Sequence, residues 1–246
     1  MTTTAVAPAG SSARTPVPAS PDLVRTARAT GLLYLGLAVT GLLGFVVVRA
    51  QLVVDGDPVA TLANLADREA LARWGVLLEL GIVLTQALCA VWFFRLFRSV
   101  DAFAAGCIAV FGVVNAVAIM GSAAAVGAAV EIATGAEGST VAAAADSVGL
   151  LYLLSDQLWA VGGIFFGLWL IPMGWLARRS GWMPAALGWL LMVSGIGYVV
   201  SAFATYAVPS AESLTVLLTL PATVGELWMI GWLLVVGIRR TALSSV

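Results

Sequence analysis

The chain is predicted to be an all-α integral membrane bundle of six transmembrane helices with both termini cytoplasmic, and three observations carry that prediction. Of its 246 residues, 61% are hydrophobic and only 10% charged, with a mean hydropathy of +1.03, whereas soluble domains carry charge on roughly 25% of positions. Six stretches reach the length of roughly 20 apolar residues that a bilayer crossing needs, and none shows the short alternating segments of a β-barrel. Each is apolar all round, as expected of helices whose backbone groups are satisfied internally in lipid. The third observation is an asymmetry of arginines between alternate loops.

Residues 1 to 24 form a cytoplasmic tail: the stretch is rich in Thr, Ala, Pro and Ser, has no apolar period, and lacks the surface to order itself. The first span, Ala29 to Val48, is full length and is expected to act as a signal anchor rather than a cleaved signal. In the loop from Ala50 to Ala72, Asp57 is a candidate N-cap with Pro58 at the first helical position. They start a short helix near 57–71, with Val59, Leu62, Ala63, Ala66 and Ala70 as its apolar stripe. Glu69 and Arg73 sit one turn apart as a supporting ion pair. This helix is expected to lie on the outer membrane surface, with capping of a cavity as the alternative.

The remaining spans are Arg73 to Phe94, Ala102 to Val126, Val148 to Leu176, Ala185 to Val208 and Leu214 to Ile238. Residues 25–240 therefore make one transmembrane domain, and residues 241–246 a short second tail. Gly163 and Gly167 form a G-x-x-x-G pair that indicates helix packing and leaves a homo-oligomer open. Pro172 is expected to kink the fourth span. Pro221 is expected in the first turn of a shorter sixth helix, or else to loosen that helix before Glu226. Trp74, Trp92, Trp175 and Trp182 suit interfacial belts.

If the spans alternate, Arg14, Arg25, Arg28, Arg95, Arg98, Arg178, Arg179, Arg239 and Arg240 share one side, and only Arg49, Arg68 and Arg73 face the other. The positive-inside rule then puts both termini in the cytoplasm. Asp55, Asp57, Asp67, Glu69, Glu137, Asp146 and Glu212 all fall outside. A formal net charge of −1 offers no field for nucleic acid, which is not expected as a partner. The absence of histidine removes bis-histidine haem ligation, histidine-containing zinc sites and His-based triads. Cys89 and Cys107 are the only thiols, too few for a four-thiolate site, and are expected to pack. No cofactor, metal site or catalytic residue is assigned.

The candidate site rests on polar groups inside the spans. Glu79, Asp156 and Glu226 lie within apolar stretches that hold no basic residue in their interiors, and a charge at mid-bilayer depth costs roughly 2.5 to 3.5 kcal/mol even on the lenient insertion scale. At 1.5 Å per residue from the outer span ends, Glu79 lies roughly 9 Å deep, Asp156 roughly 12 Å, Glu226 roughly 15 Å and Asn115 roughly 16 Å. Glu79 shares a face with Gln86, Asp156 with Trp159 and Gly163, Asn115 with Ser122, and Glu226 with Thr219 and Thr223. These faces are expected to converge on a cavity opening outward. With no embedded cation the acids cannot all stay ionised in low dielectric, so one is protonated or the group binds a cation. For Asn115, Gln86 and Gln157 the structural alternative is interhelical glue.

Several blocks carry a family likeness: Arg28-Ala29-Thr30-Gly31-Leu32-Leu33-Tyr34-Leu35, Val48-Arg49, Gly56-Asp57 and Arg73-Trp74-Gly75, then Phe165-Phe166-Gly167-Leu168, Arg179-Ser180-Gly181-Trp182-Met183-Pro184, Gly195-Ile196-Gly197-Tyr198, and Pro221 through Gly225-Glu226-Leu227-Trp228. Over roughly residues 25 to 238 the chain resembles the bacterial polytopic proteins grouped as domain of unknown function four-three-eight-six. The resemblance implies a compact helical protein of the bacterial plasma membrane, with no established activity. Members often carry a histidine beside the acid at the position of Asp156; this chain has Ser155 and Gln157, which speaks against shared His-Asp proton chemistry.

The expected function is a non-enzymatic, multi-pass membrane protein that binds a small molecule, lipid headgroup or cation in an outward-facing polar pocket, with transport left open. Glu79, Asn115, Asp156 and Glu226 would line the pocket, and Arg49 and Arg73 would gate it or steer an anionic group. The rivals are a structural or regulatory protein that binds another protein, and a lipid-directed enzyme using paired carboxylates.

Overall fold

A computed structural model describes residues 21–135, 140–208 and 212–239. The tail before Pro21, with Arg14, and Glu137, Arg240 and residues 241–246 lie outside them. The described residues form seven helices and no strand: α1 (Pro21–Leu52), α2 (Pro58–Asp67), α3 (Glu69–Phe97), α4 (Ala102–Thr134), α5 (Val141–Ser180), α6 (Ala185–Ala207) and α7 (Glu212–Val235). All but α2 are long and apolar enough to cross a membrane, so the protein is a multi-pass membrane protein of six spans.

The helix starts obey local chemistry. Pro21 to Val24, expected in the tail, are already helical, with proline at the first position and Asp22 in the first turn, both favourable to a helix N-terminus. Asp57 caps α2 by accepting a hydrogen bond from the Ala60 amide at 2.9 Å. Asp101 caps α4 through Ala104 at 3.0 Å, and Thr140 caps α5 through Ala143 at 3.3 Å. Gly181, at φ 69°, ends α5 in the left-handed conformation that glycine adopts without a Cβ penalty.

The spans close into a ring in which each packs chiefly on two neighbours: α1 on α3, α3 on α4, α4 on α5, α5 on α6, α6 on α7, and α7 back on α1. Small residues set the close approaches. Gly36 and Gly81 receive Thr85 and Thr40 across the α1–α3 seam. Gly167 and Gly195 bring the α5 and α6 backbones together, and a Cβ on Gly167 would stand 2.5 Å from the Gly195 carbonyl. Gly167 thus serves packing within the chain.

Two apolar cores fill the ring. The first lies toward the end that holds Pro21 and Arg239 and contains Phe93, Phe97, Trp169, Trp182, Leu187 and Leu233. Trp182, expected at the interface, is buried here and stacks on Phe97 at 5.9 Å between ring centres. Its carbonyl accepts from the Trp232 indole at 3.3 Å and the Arg239 amide at 3.1 Å, which ties the α5–α6 turn to the end of α7.

The second core lies at the opposite end, where α4 runs beyond Val126 and α5 begins before Val148. The resulting hairpin carries α2, which packs on both helices. The buried face of α2 is Thr61, Leu62 and Leu65, while Val59, Ala63, Ala66 and Ala70 are exposed. The face differs from the expected stripe because the two leucines offer more apolar area than alanines. Glu69 and Arg73 form the expected ion pair, at 2.7 Å. Pro221 lies inside α7 rather than in its first turn.

A chamber between six helices and a polar network beside it

The α2 half of the ring holds a continuous side-chain network. In α1 the stretch Leu43–Arg49 winds as a π-helix, a wider turn that redirects the side chains after it and recurs at functional sites. Arg49 thereby points into the bundle. Its Nη2 donates to Asp156 Oδ1 at 2.5 Å and its Nη1 lies 3.5 Å from Ser155 Oγ. The guanidinium lies over the rings of Tyr152 at 5.3 Å and Phe45 at 5.8 Å, which shield it from lipid.

From Ser155 the network runs inward. Ser155 Oγ and Ser122 Oγ are 2.8 Å apart, and Ser122 donates to the buried Glu79 carboxylate at 3.3 and 3.4 Å. The Trp159 indole N–H donates to Ser122 at 3.0 Å. Helices α1, α3, α4 and α5 are thus joined through one chain of polar groups. Beside it, between Arg49, Glu79 and Tyr152, lies a pocket of about 30 Å³, room for one water.

Glu226 belongs to a different place. Its Oε1 accepts from the Tyr34 hydroxyl at 2.5 Å, and the Tyr34 ring stands edge-on to Phe93 at 5.5 Å and to Trp169 at 5.7 Å. The Tyr34–Glu226 pair closes one end of a chamber of about 600 Å³ to which all six spans contribute. At the other end, Phe45 and Trp159 meet edge to face at 4.7 Å, and Phe45 also borders the small pocket, so this aromatic pair divides the two spaces. Between these ends the wall is mainly apolar, with Gln86, Asn115 and Thr223 as its uncharged polar side chains apart from the tyrosines. Gln86 is completely buried, and neither its amide nitrogen nor its amide oxygen has a hydrogen-bond partner.

On one side the wall is also the bundle's outer surface. Leu35, Val39 and Leu42 of α1 and Leu227 of α7 border the chamber, and all are exposed. Toward the termini the same two helices are in contact, Gly31 against Leu233 and Gly237 against Ala27.

The expected site residues therefore fall into three groups. Arg49, Glu79 and Asp156 share the network, and Glu226 and Asn115 share the chamber wall. Arg73 stands apart, exposed and paired with Glu69. The acids do not meet in one space because α1 separates α3 from α7 in the ring and its Tyr34 takes up Glu226. Arg49, expected just beyond the first span, lies within the extended α1. Gln157 serves as glue, accepting from Tyr206 of α6 at 2.5 Å. The sequence alone assigns no role to Tyr34, Phe45 or Ser155; their partners on other helices are remote in the chain, and only the polarity of Tyr34 within an apolar run marks it.

A family model described as a domain of unknown function, DUF4386, matches residues 29–237. The chain belongs to this family. No curated protein and no solved structure matches it. The matched stretch of this DUF4386 chain takes in every residue of the chamber wall and the whole polar network. Among its described residues, no group of three or more His, Cys, Asp or Glu could hold a metal ion.

Proposed function

We propose that this protein binds a small amphipathic molecule in its central chamber, taken up sideways from the lipid between α1 and α7, and that passage across the membrane is a further step the same chamber serves. The protein sits in the plasma membrane of a bacterium, with the arginine-rich end that holds both termini in the cytoplasm. The observation that carries this reading is the chamber itself, about 600 Å³, walled by all six spans and bordered on one side by exposed residues of α1 and α7. Chamber size and the mix of apolar wall with few polar groups match small-molecule sites, which span about 300–1,000 Å³.

The test is native mass spectrometry of the full chain purified in its own lipids, beside Ala38→Phe, which fills the chamber from α1. Wild type should carry a bound small molecule that the variant lacks, and Ala38→Phe should lose any thermal stabilisation that molecule supplies. Identical bound masses in the two proteins would refute the reading.

A further inference from the structure

Resting on that reading of the chamber, we propose that its ligand is a lipophilic organic cation, held by the Glu226 carboxylate inside an aromatic box. Tyr34, Phe166 and Tyr198 contribute rings to the wall, and Phe45 and Trp159 close its other end. Aromatic faces attract cations through their ring quadrupole, the more strongly where water is excluded. Glu226 is the one acid on that wall, and no basic side chain is on it. Arg49, the nearest cation in the sequence of α1, lies beyond the Phe45–Trp159 partition and is committed to Asp156.

The two oxygens of Glu226 are unequally used. Oε1 takes the Tyr34 hydroxyl, and Oε2 has no hydrogen-bond partner among the described residues. A carboxyl group on an apolar wall either keeps its proton or takes a counter-charge, and the chain supplies no counter-charge there. An organic cation supplies it and presents apolar substituents to Leu35, Val39 and Leu227 at the side opening. A phosphate or carboxylate head would face Glu226 with no partner of opposite sign. A neutral amphiphile would leave Glu226 to keep its proton and would draw nothing from its charge.

The experiment titrates three probes of similar shape separately, by calorimetry, into the purified full chain against empty-micelle blanks: tetraphenylphosphonium (cation), tetraphenylborate (anion) and triphenylphosphine oxide (neutral). Saturable phosphonium binding at one site per chain is expected, at least tenfold tighter than the borate. Glu226→Gln should weaken phosphonium binding tenfold or more and leave the neutral probe within twofold. Glu131→Gln, which removes an acid from the exposed end of α4, should change neither. Equal binding of cation and anion, or phosphonium binding indifferent to Glu226→Gln, overturns the cation assignment and leaves the chamber as a site for neutral molecules. Absence of saturable binding by all three overturns the chamber reading as well. The comparison of phosphonium with borate needs no variant, so it decides the matter even if Glu226→Gln does not fold.

Discussion

The two halves of the ring are built on opposite terms. Toward the termini, large aromatic and aliphatic side chains fill the centre, α5 and α6 approach through paired glycines, and arginines lie over tryptophan rings, Arg178 on Trp189 at 4.0 Å and Arg179 on Trp175 at 4.6 Å. Toward α2, the centre is a chamber and a chain of polar contacts, with a guanidinium held among aromatic rings. The first half gains its cohesion from dispersion and close packing, which a membrane rewards because lipid competes poorly with a well-fitted neighbour. The second gives up packing for groups that can exchange partners. One end anchors the bundle, and the other leaves room for something to enter.

Substitutions can break or sharpen that contrast. The largest effect is expected from Phe93→Ala, which empties a fully buried ring site between Tyr34, Phe97 and Trp169. A loss of about 3–5 kcal/mol should show in thermal unfolding monitored by circular dichroism in detergent. Gly167→Ala comes next, at about 2 kcal/mol, because its new Cβ meets the Gly195 carbonyl at 2.5 Å and Tyr198 Cβ at 2.9 Å.

In the other half the effects should be smaller. Ser122→Ala removes the group that links Glu79, Ser155 and Trp159, and should cost about 1–2 kcal/mol in the same assay. Arg49→Met should cost about 1 kcal/mol, since Asp156 is half exposed, and Asp156→Asn in that background should cost nothing further in a double-mutant cycle. Gln86→Leu should change stability least and with the opposite sign: a gain of up to about 1 kcal/mol in ligand-free protein, because it deletes two unsatisfied groups. If Ser122→Ala proves as damaging as Phe93→Ala, the contrast between the halves fails.

Much of the architecture was legible in the order of the residues. Runs of apolar side chains, the Asp57-Pro58 start of α2 and the Glu69–Arg73 pair are local patterns, and the structure repeats them. The face buried by α2 was not legible, because it depends on the continuation of α4 and α5 past their apolar windows, where alanine-rich stretches show no period. For the site, depth along each helix identified Glu79, Asn115, Asp156 and Glu226 as candidates, but which of them meet depends on ring order and helix rotation. Tyr34 and Glu226 are separated by nearly the whole chain, and no spacing rule joins them. Likewise the apolar window ends at Val48 and leaves Arg49 in a loop, whereas α1 continues past it through one wide turn.

That wide turn has a consequence for how the molecule tolerates change. A π-helical stretch behaves as an α-helix that has absorbed an additional residue, so removing one residue between Leu43 and Val48 would let α1 relax to regular winding without shortening its apolar length appreciably. Every position after the deletion would then keep its face of the bundle, whereas regular winding of the full-length segment would swing it by about 100°, carrying the guanidinium from Asp156 to the acyl chains. Loss of one residue in this segment should therefore be borne far better than gain of one, which leaves α1 no regular winding that keeps its outer end in place.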